Sequence, residues 1–310
     1  MKKVIVIGGG TGQSVILRAI KNINDVQLKT IVSMADDGGS TGRLQDIFNI
    51  PAVGDIRNVM VALSEDESLL ANLMAYRFDK SAAEFSGHNL GNIILTALVD
   101  NSADFLDAIY QMSRFLKVKG EIIPSTGFKV VLSALMEDGT VVAGEHKIRA
   151  AKKKIKEVFY QDEVAVNPRA VAAIEEADVI IYSIGSLYTS ILPNLVIPAI
   201  KQALMGSKAR FVYFCNAMSE DGETNNYSLE DHVAALYQHT ARLVDFVVCA
   251  NQQIPPNIQK LYQAENAEAV TIKEKEHDYE IIEAPLLSFQ DNLIRHDVAA
   301  VRAVLERILV

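Results

Sequence analysis

Tryptophan is absent from the 310 residues, only two cysteines occur, and basic charge is in deficit. Each shortage excludes something. With 30 lysines and arginines against 39 aspartates and glutamates, the net charge is −9, so nothing is left over to neutralise a nucleic-acid backbone. The densest basic run, Lys147 to Lys156, reads as a solvated face. Cys215 and Cys249 each end an apolar run and read as buried thiols in a reducing compartment, not as a disulfide or a metal site. No Cys-x-x-Cys, His-Glu-x-x-His or Gly-x-Ser-x-Gly occurs, and the six histidines are scattered, so no activated nucleophile stands out. Met1-Lys2-Lys3 opens like a signal peptide, but its apolar run stops after four residues at Gly8. No stretch approaches the length of a membrane span. The expectation is a cytoplasmic protein without membrane insertion. A symmetric dimer is expected on general grounds only.

The feature that organises the rest is near the start. Val4 to Ile7 are four β-branched apolar residues, followed by Gly8-Gly9-Gly10-Thr11-Gly12 and then by Val15, Ile16, Leu17, Ala19 and Ile20 at helical spacing. Strand, glycine-rich turn and helix together bring bare N–H groups up to an anion at a helix N-terminus. The turn fits neither standard signature. A dinucleotide fingerprint needs glycine where Gln13 stands and an acid about twenty residues on, and the first suitable acid is Asp36. A P-loop needs a lysine, and none occurs between Lys3 and Lys21. A nicotinamide-dependent oxidoreductase is therefore a weak reading.

Polar loops at strand ends continue the theme. A strand over Gln27 to Met34 runs into Ala35-Asp36-Asp37-Gly38-Gly39-Ser40-Thr41-Gly42-Arg43. There Asp36 and Asp37 can hold Mg²⁺ against a diphosphate, with Arg43 or the loop amides of Gly38, Gly39 and Ser40 on the phosphates. Gly54-Asp55 starts a helix, Asp55 serving as a cap or first-turn acid, and Arg57 and Asn58 divide evenly between capping and ligand contact. A further amphipathic helix spans Ser68 to Phe78. His88-Asn89-Leu90-Gly91-Asn92 opens another, where Asn89 and Asn92 are better ligand candidates than His88 because an amide bonds without titrating.

From Gly120 the pattern changes to a hairpin with an Asp138-Gly139 turn, an antiparallel excursion over about 120–160. Parallel rhythm then resumes. A strand over Asp178 to Ser183 runs into Ile184-Gly185-Ser186-Leu187-Tyr188-Thr189-Ser190, a second candidate anion cradle. Later strands end at Asn216 and Asn251. A short helix carries Tyr262, extended segments lie near Ala269 and Ile281, and a last helix covers Val298 to Val310. Arg295 reads equally as an ion-pair partner or a phosphate fork. The expected fold is α/β: one domain over 1–310 with a doubly wound, mostly parallel Rossmann-like sheet.

Six blocks in order carry a family resemblance: 8–12, 36–42, 51–58, 88–92, 185–194 and Arg295-His296-Asp297. The chain resembles, over essentially its whole length, the family that joins bacterial gluconeogenesis factors with 2-phospho-L-lactate transferases. Similarity to the first branch implies a cytoplasmic protein that binds a UDP-sugar such as UDP-N-acetylglucosamine and is needed for cell shape on gluconeogenic carbon sources. It also implies that Tyr262 and Arg295 contact the uridine diphosphate. Similarity to the second implies transfer of phospholactate with Mg²⁺, with Asp36, Asp37 and Asp55 on the metal side. No other cofactor is implied, and no motif specifies a regulatory protein partner. Val298 stands where some members carry a phosphorylatable threonine, so regulation at that point is not expected. Ser183-Ile184 stand where a Gly-Pro pair is common.

The ligand set expected from all of this comprises Gly9, Gly10, Thr11, Gly12, Asp37, Gly38, Gly39, Ser40, Arg43, Asn89, Asn92, Gly185, Ser186, Leu187, Thr189, Asn216, Tyr262 and Arg295. A nucleotide-sugar sensor needs only this cleft and a surface. A transferase needs a metal and an acceptor pocket as well, and the scarcity of aromatics disfavours a flat deazaflavin-type acceptor. The sensor is the preferred reading.

Overall fold

The computed structural model describes residues 1–65, 69–79 and 81–309. Strand β1 (Lys2–Gly8) runs through its centre. Val4 and Val6 enter the core on one face of the sheet, and Ile5 and Ile7 enter the core on the other. A strand buried on both faces carries apolar residues throughout, which explains the unbroken β-branched run. The chain turns into α1 (Gly10–Ile20) and returns as β2 (Val26–Val32), parallel to β1. Gln13, where a dinucleotide fingerprint would have glycine, is fully buried and staples α1 to β2. Its side-chain amide donates to Thr30 Oγ1 at 2.8 Å and to the Ile31 carbonyl at 2.9 Å.

Five helices follow: α2 (Gly39–Phe48), α3 (Gly54–Leu63), α4 (Leu69–Ala75), α5 (Leu90–Asp100) and α6 (Phe105–Phe115). The stretch from Gly39 to Arg43, expected as loop, is thus the start of α2. The expected helix from Ser68 begins on a residue outside the described ones, and α4 stops at Ala75, short of Phe78. The strand β3 (Glu121–Pro124) corrects a second expectation. It belongs not to the antiparallel excursion but to the main sheet, paired parallel with β2. Four residues carry too little periodicity to reveal a partner more than ninety positions away.

The excursion proper is β4 (Leu132–Met136), β5 (Val141–Ala143), α7 (Glu145–Ala151) and β6 (Ile155–Tyr160), with strand order β5-β4-β6. After α8 (Pro168–Glu176), which Asn167 caps, β7 (Val179–Tyr182) rejoins the main sheet beside β1. A π-helical turn (Leu187–Ile191), α9 (Leu192–Leu195) and α10 (Pro198–Gly206) lead to β8 (Arg210–Phe214). Then come α11 (Leu229–Thr240), β9 (Phe246–Ala250), α12 (Pro256–Ala264) and β10 (Glu280–Ala284). A hairpin of β11 (Leu287–Gln290) and β12 (Leu293–His296), which the local pattern did not announce, precedes α13 (Val298–Leu309). Of the late extended segments, Ile281 lies in β10, while Ala269 makes only an isolated bridge with Met218. Val310, the expected end of the last helix, lies outside the described residues.

The seven-stranded sheet has the order β10-β9-β8-β7-β1-β2-β3, every pairing parallel. From β1 the chain first builds outward on one side, through β2 and β3, then crosses over and builds on the other from β7. Helices cover both faces: α1, α3 and α13 contribute to one core, α8, α10 and α11 to the other. Between β1 and β7 the strand order reverses. At such a switch point the loops after the two strands part in opposite directions and leave a crevice at the carboxyl ends. No helix among the described residues is long and apolar enough to cross a membrane.

Candidate functional site

A cleft of about 530 Å³ opens at this switch point. On one side lies the turn Gly9-Gly10-Thr11-Gly12 and on the other the stretch from Ile184 to Ser186, with Ser190 behind it. Helix α1 has Gly9 at its N-cap, which offers no side chain to cap it. The Asp55 carboxylate accepts the Gly10 N–H, and Thr11 and Gly12 of the same first turn, whose amides have no partner within the helix, line the cleft. Gly9 is required for space, since a Cβ there would lie 2.5 Å from Asp55 Oδ2. The second loop is held from behind. Asn216 at the end of β8 accepts from the Gly185 N–H at 3.1 Å and donates to the Gly185 carbonyl at 2.9 Å, a two-point amide pair. Its Nδ2 also donates to Glu220 at 3.0 Å, and the Ser186 hydroxyl donates to the same carboxylate.

Carboxylates dominate the electrostatics. Asp36, Asp55, Glu145 and Glu220 all line the cleft. Burial first, then the charge of Asp36, raises the Asp55 carboxyl to about 7. Burial, Asp36 and Asp55 together push Glu145 up to about 9. Arg149 is the one arginine or lysine among the described residues lining the cleft. It rises from α7, one turn beyond Glu145, and its Nε stands 3.5 Å from Glu223 Oε1. Glu223 is itself anchored by the Thr189 hydroxyl at 2.8 Å and the Tyr188 N–H at 3.3 Å. Burial and the neighbouring Glu220 raise Glu223 to about 8.

Of the residues expected from sequence, the cleft gathers Gly9, Gly10, Thr11, Gly12, Asp36, Asp55 and Asn58 from the β1 side, and Gly185, Ser186, Asn216 and Tyr262 from the other. The remaining ones are placed elsewhere. Asp37 turns to the excursion and accepts the His146 N–H at 2.8 Å, so it does not stand with Asp36 and Asp55. Gly38 closes an Asx turn on Asp36 Oδ1 at 3.0 Å, and Gly39 and Ser40 form the first turn of α2. Arg43 is exposed and donates to the Ser86 carbonyl. Leu187 is fully buried in the core, and Thr189 is committed to Glu223. Arg295 is exposed, while its strand neighbours Ile294 and His296 line the cleft, as the alternation of a strand dictates. Tyr262 is tied to that strand, its hydroxyl accepting the Ile294 N–H at 3.0 Å.

Asn89 and Asn92 also lie outside the cleft lining. Asn89 is the N-cap of α5: its Oδ1 accepts the Asn92 N–H at 3.1 Å and its Nδ2 donates to the Ala75 carbonyl at 3.1 Å. Loss of such a cap costs about 1 kcal/mol. Asn89→Ala is therefore expected to lower the unfolding free energy by about that much while leaving nucleotide affinity unchanged, as urea denaturation and calorimetry would show.

Glu145, Arg149, Glu220 and Glu223 were not foreseen. Glu145 and Arg149 share the face of α7 that enters the cleft, one turn apart in a helix whose charged sequence reads locally as solvated surface. Glu220 and Glu223 sit near or within a polar loop. Only their burial marks them.

A parallel sheet wound in both directions from its first strand, with a glycine turn and a carboxylate cluster at the switch point, defines a Rossmann-like α/β protein with a polar crevice at the carboxyl ends of its strands. Its relatives agree. A family model described as 2-phospho-L-lactate transferase CofD matches residues 4–287. The gluconeogenesis factor of Bacillus subtilis is 42% identical over 99% of this chain and 98% of its own length. A putative gluconeogenesis factor of Thermotoga maritima is 39% identical over 99% of each chain. A crystal structure of a protein from Bacillus halodurans superposes with a TM-score of 0.94 at 41% identity, covering 98% of this chain and 99% of the other. The chain belongs to the 2-phospho-L-lactate transferase CofD family, and within it is similar throughout to the gluconeogenesis factors.

Proposed function

We propose that this protein binds a UDP-sugar, such as UDP-N-acetylglucosamine, across the switch-point cleft. In this reading it acts in the cytoplasm as a sensor or regulator that maintains cell shape during gluconeogenic growth, with the whole chain serving as one nucleotide-binding domain. The observation that supports this best is that the first turn of α1, the Gly185 loop and Arg149 face one cleft. Oriented amides and a guanidinium are what a diphosphate needs, and about 530 Å³ suits a ligand of nucleotide-sugar size. The relatives named gluconeogenesis factor support the physiological half.

A diphosphate beside four carboxylates requires a counter-charge. Asp36 and Asp55 fit Mg²⁺. Among the described residues no three acidic, histidine or cysteine side chains are grouped to hold an ion unaided, and Mg²⁺ characteristically takes one or two carboxylates and fills its octahedron with phosphate oxygens and water. When bound, the ion would neutralise the phosphates. The chain's part is to aim Asp36 and Asp55 at the ion, and the α1 amides and Arg149 at the phosphates. Asp37, Gly38, Gly39, Ser40, Leu187 and Thr189 serve the site by holding its loops, whereas Asn89 and Asn92 shape the start of α5 outside it. A transferase resembling 2-phospho-L-lactate transferase is the second reading, and the convergence of Asp36, Asp55 and Glu145 favours it.

Calorimetric titration with UDP-N-acetylglucosamine, GDP and NAD, with and without Mg²⁺, separates these readings. The expected result is saturable, Mg²⁺-dependent binding of the UDP-sugar. Binding of GDP but not of the UDP-sugar would overturn it. Arg295, on the far side of β12, is expected to matter less than Arg149: Arg295→Ala should weaken the UDP-sugar by under about 1.5 kcal/mol, the low end for hydrogen bonds to charged groups. A loss equal to that of an Arg149 variant would show that β12 reorients on binding.

A further inference from the structure

Outside the main cleft, three arginines gather about the loop that precedes α5. Arg43 Nη2 donates to the Ser86 carbonyl at 2.9 Å, and Arg77 Nη1 donates to the next carbonyl along, Gly87, at 2.7 Å. Arg57 reaches the same region from α3. Its Nη1 lies 3.5 Å from the Met74 carbonyl, its Nη2 bonds Asn58 Oδ1 at 2.6 Å, and its Nε has no partner. His88 completes the group, its Nδ1 3.1 Å from Ser40 Oγ at the start of α2. That helix begins without a side-chain cap, and the space beside Gly39 is open.

In a chain with 39 acids against 30 bases, none of these three guanidiniums makes an ion pair among the described residues. Arg57 is only 9% exposed, so solvent does not compensate it either. Burial and the charge of Arg77 lower it to about 10, while the acids it feels, Asp55 and Asp36, belong to the main cleft and do not touch it. A buried guanidinium with an unpartnered N–H and like charges beside it is costly unless an anion completes it. Guanidinium forks match the oxygens of phosphate, and a bare helix start adds amides of the same preference.

We infer that Arg43, Arg57, Arg77 and His88 form a second anion site, separate from the nucleotide cleft, that takes a phosphate group, free or as a phosphate monoester. The inference stands whether or not the main cleft binds a UDP-sugar.

The test is titration of inorganic phosphate, and separately of glycerol phosphate, into the full chain in low-salt buffer, followed by calorimetry. Three proteins are compared: wild type, R43Q/R77Q and R149Q. Arg43 and Arg77 are exposed, so the double variant keeps its fold, which its melting temperature checks; the buried Arg57 is left in place. Wild type and R149Q are expected to bind phosphate alike, and R43Q/R77Q to bind at least about tenfold more weakly. Tighter binding of the ester would identify a phosphorylated metabolite, and equal binding free phosphate. Retention of wild-type affinity by R43Q/R77Q, loss confined to R149Q, or no saturable binding by wild type would each overturn the inference.

Discussion

Arg149→Gln is expected to cost the protein most of its hold on a nucleoside diphosphate, by about 2–3 kcal/mol, or 30- to 150-fold in Kd. Arg149 is the one arginine or lysine among the described residues lining the cleft, facing Asp36, Asp55, Glu145 and Glu220. Its removal therefore leaves a surplus of negative charge where the phosphates must sit. Glu223, fully buried and held by Thr189 and Tyr188, fixes the guanidinium from behind. Lysine in its place would keep the charge but lose the fork, so Arg149→Lys should fall between wild type and Arg149→Gln. Calorimetry at one fixed Mg²⁺ concentration measures all three. Equal affinities would remove the excursion from the site and leave the phosphates to the α1 amides alone.

The second expected effect is on stability. Asp55, Glu145 and Glu223 are raised to about 7, 9 and 8, in each case by burial first and by neighbouring carboxylates next. A carboxyl whose pKa is raised holds its proton more tightly in the folded chain than in the unfolded one. Its stabilising contribution is complete below the ordinary carboxylate range near pH 4 and is lost as pH rises through 7 to 9. The unligated protein should therefore melt at progressively lower temperature from pH 5 to pH 9. Asp55→Asn should remove part of this slope and raise the stability at pH 9 by on the order of 2 kcal/mol, since each pKa unit corresponds to about 1.4 kcal/mol. The same substitution should abolish any Mg²⁺ dependence of nucleotide binding. Scanning calorimetry across the pH range checks the first part; a flat profile would mean that these carboxyls are solvated.

The two effects share a cause. A cleft that concentrates acids and opposes them with one arginine is unstable when empty and deprotonated, and in the proposed reading the divalent ion that accompanies a nucleoside diphosphate would supply the missing positive charge. Stabilisation by such a ligand would follow from the mass-action gain of binding only the folded state, and the ion would also relieve the repulsion among the carboxylates. That combination suits a protein that reports ligand concentration.

What local sequence determined is what acts within a few residues. Four β-branched residues before Gly8 to Gly12 specify strand, turn and helix, and hence a helix start at the carboxyl end of β1. Asn167-Pro168 specify a helix start, and Asp138-Gly139 a hairpin. Doubly wound α/β architecture follows from the alternation of such units. Tertiary structure alone decided which loops face one another. The switch point lies between β1 and β7, strands some 170 residues apart, and only their pairing sets Gly9 to Gly12 against Gly185 and Ser186. It likewise turned Asp37 toward α7, spent Asn89 on a cap, and set Arg295 outward by the parity of its strand. Arg149 and Glu145 look like solvated surface in sequence because their partners come from distant loops. Charge in a chain has no location until the fold brings its partners together.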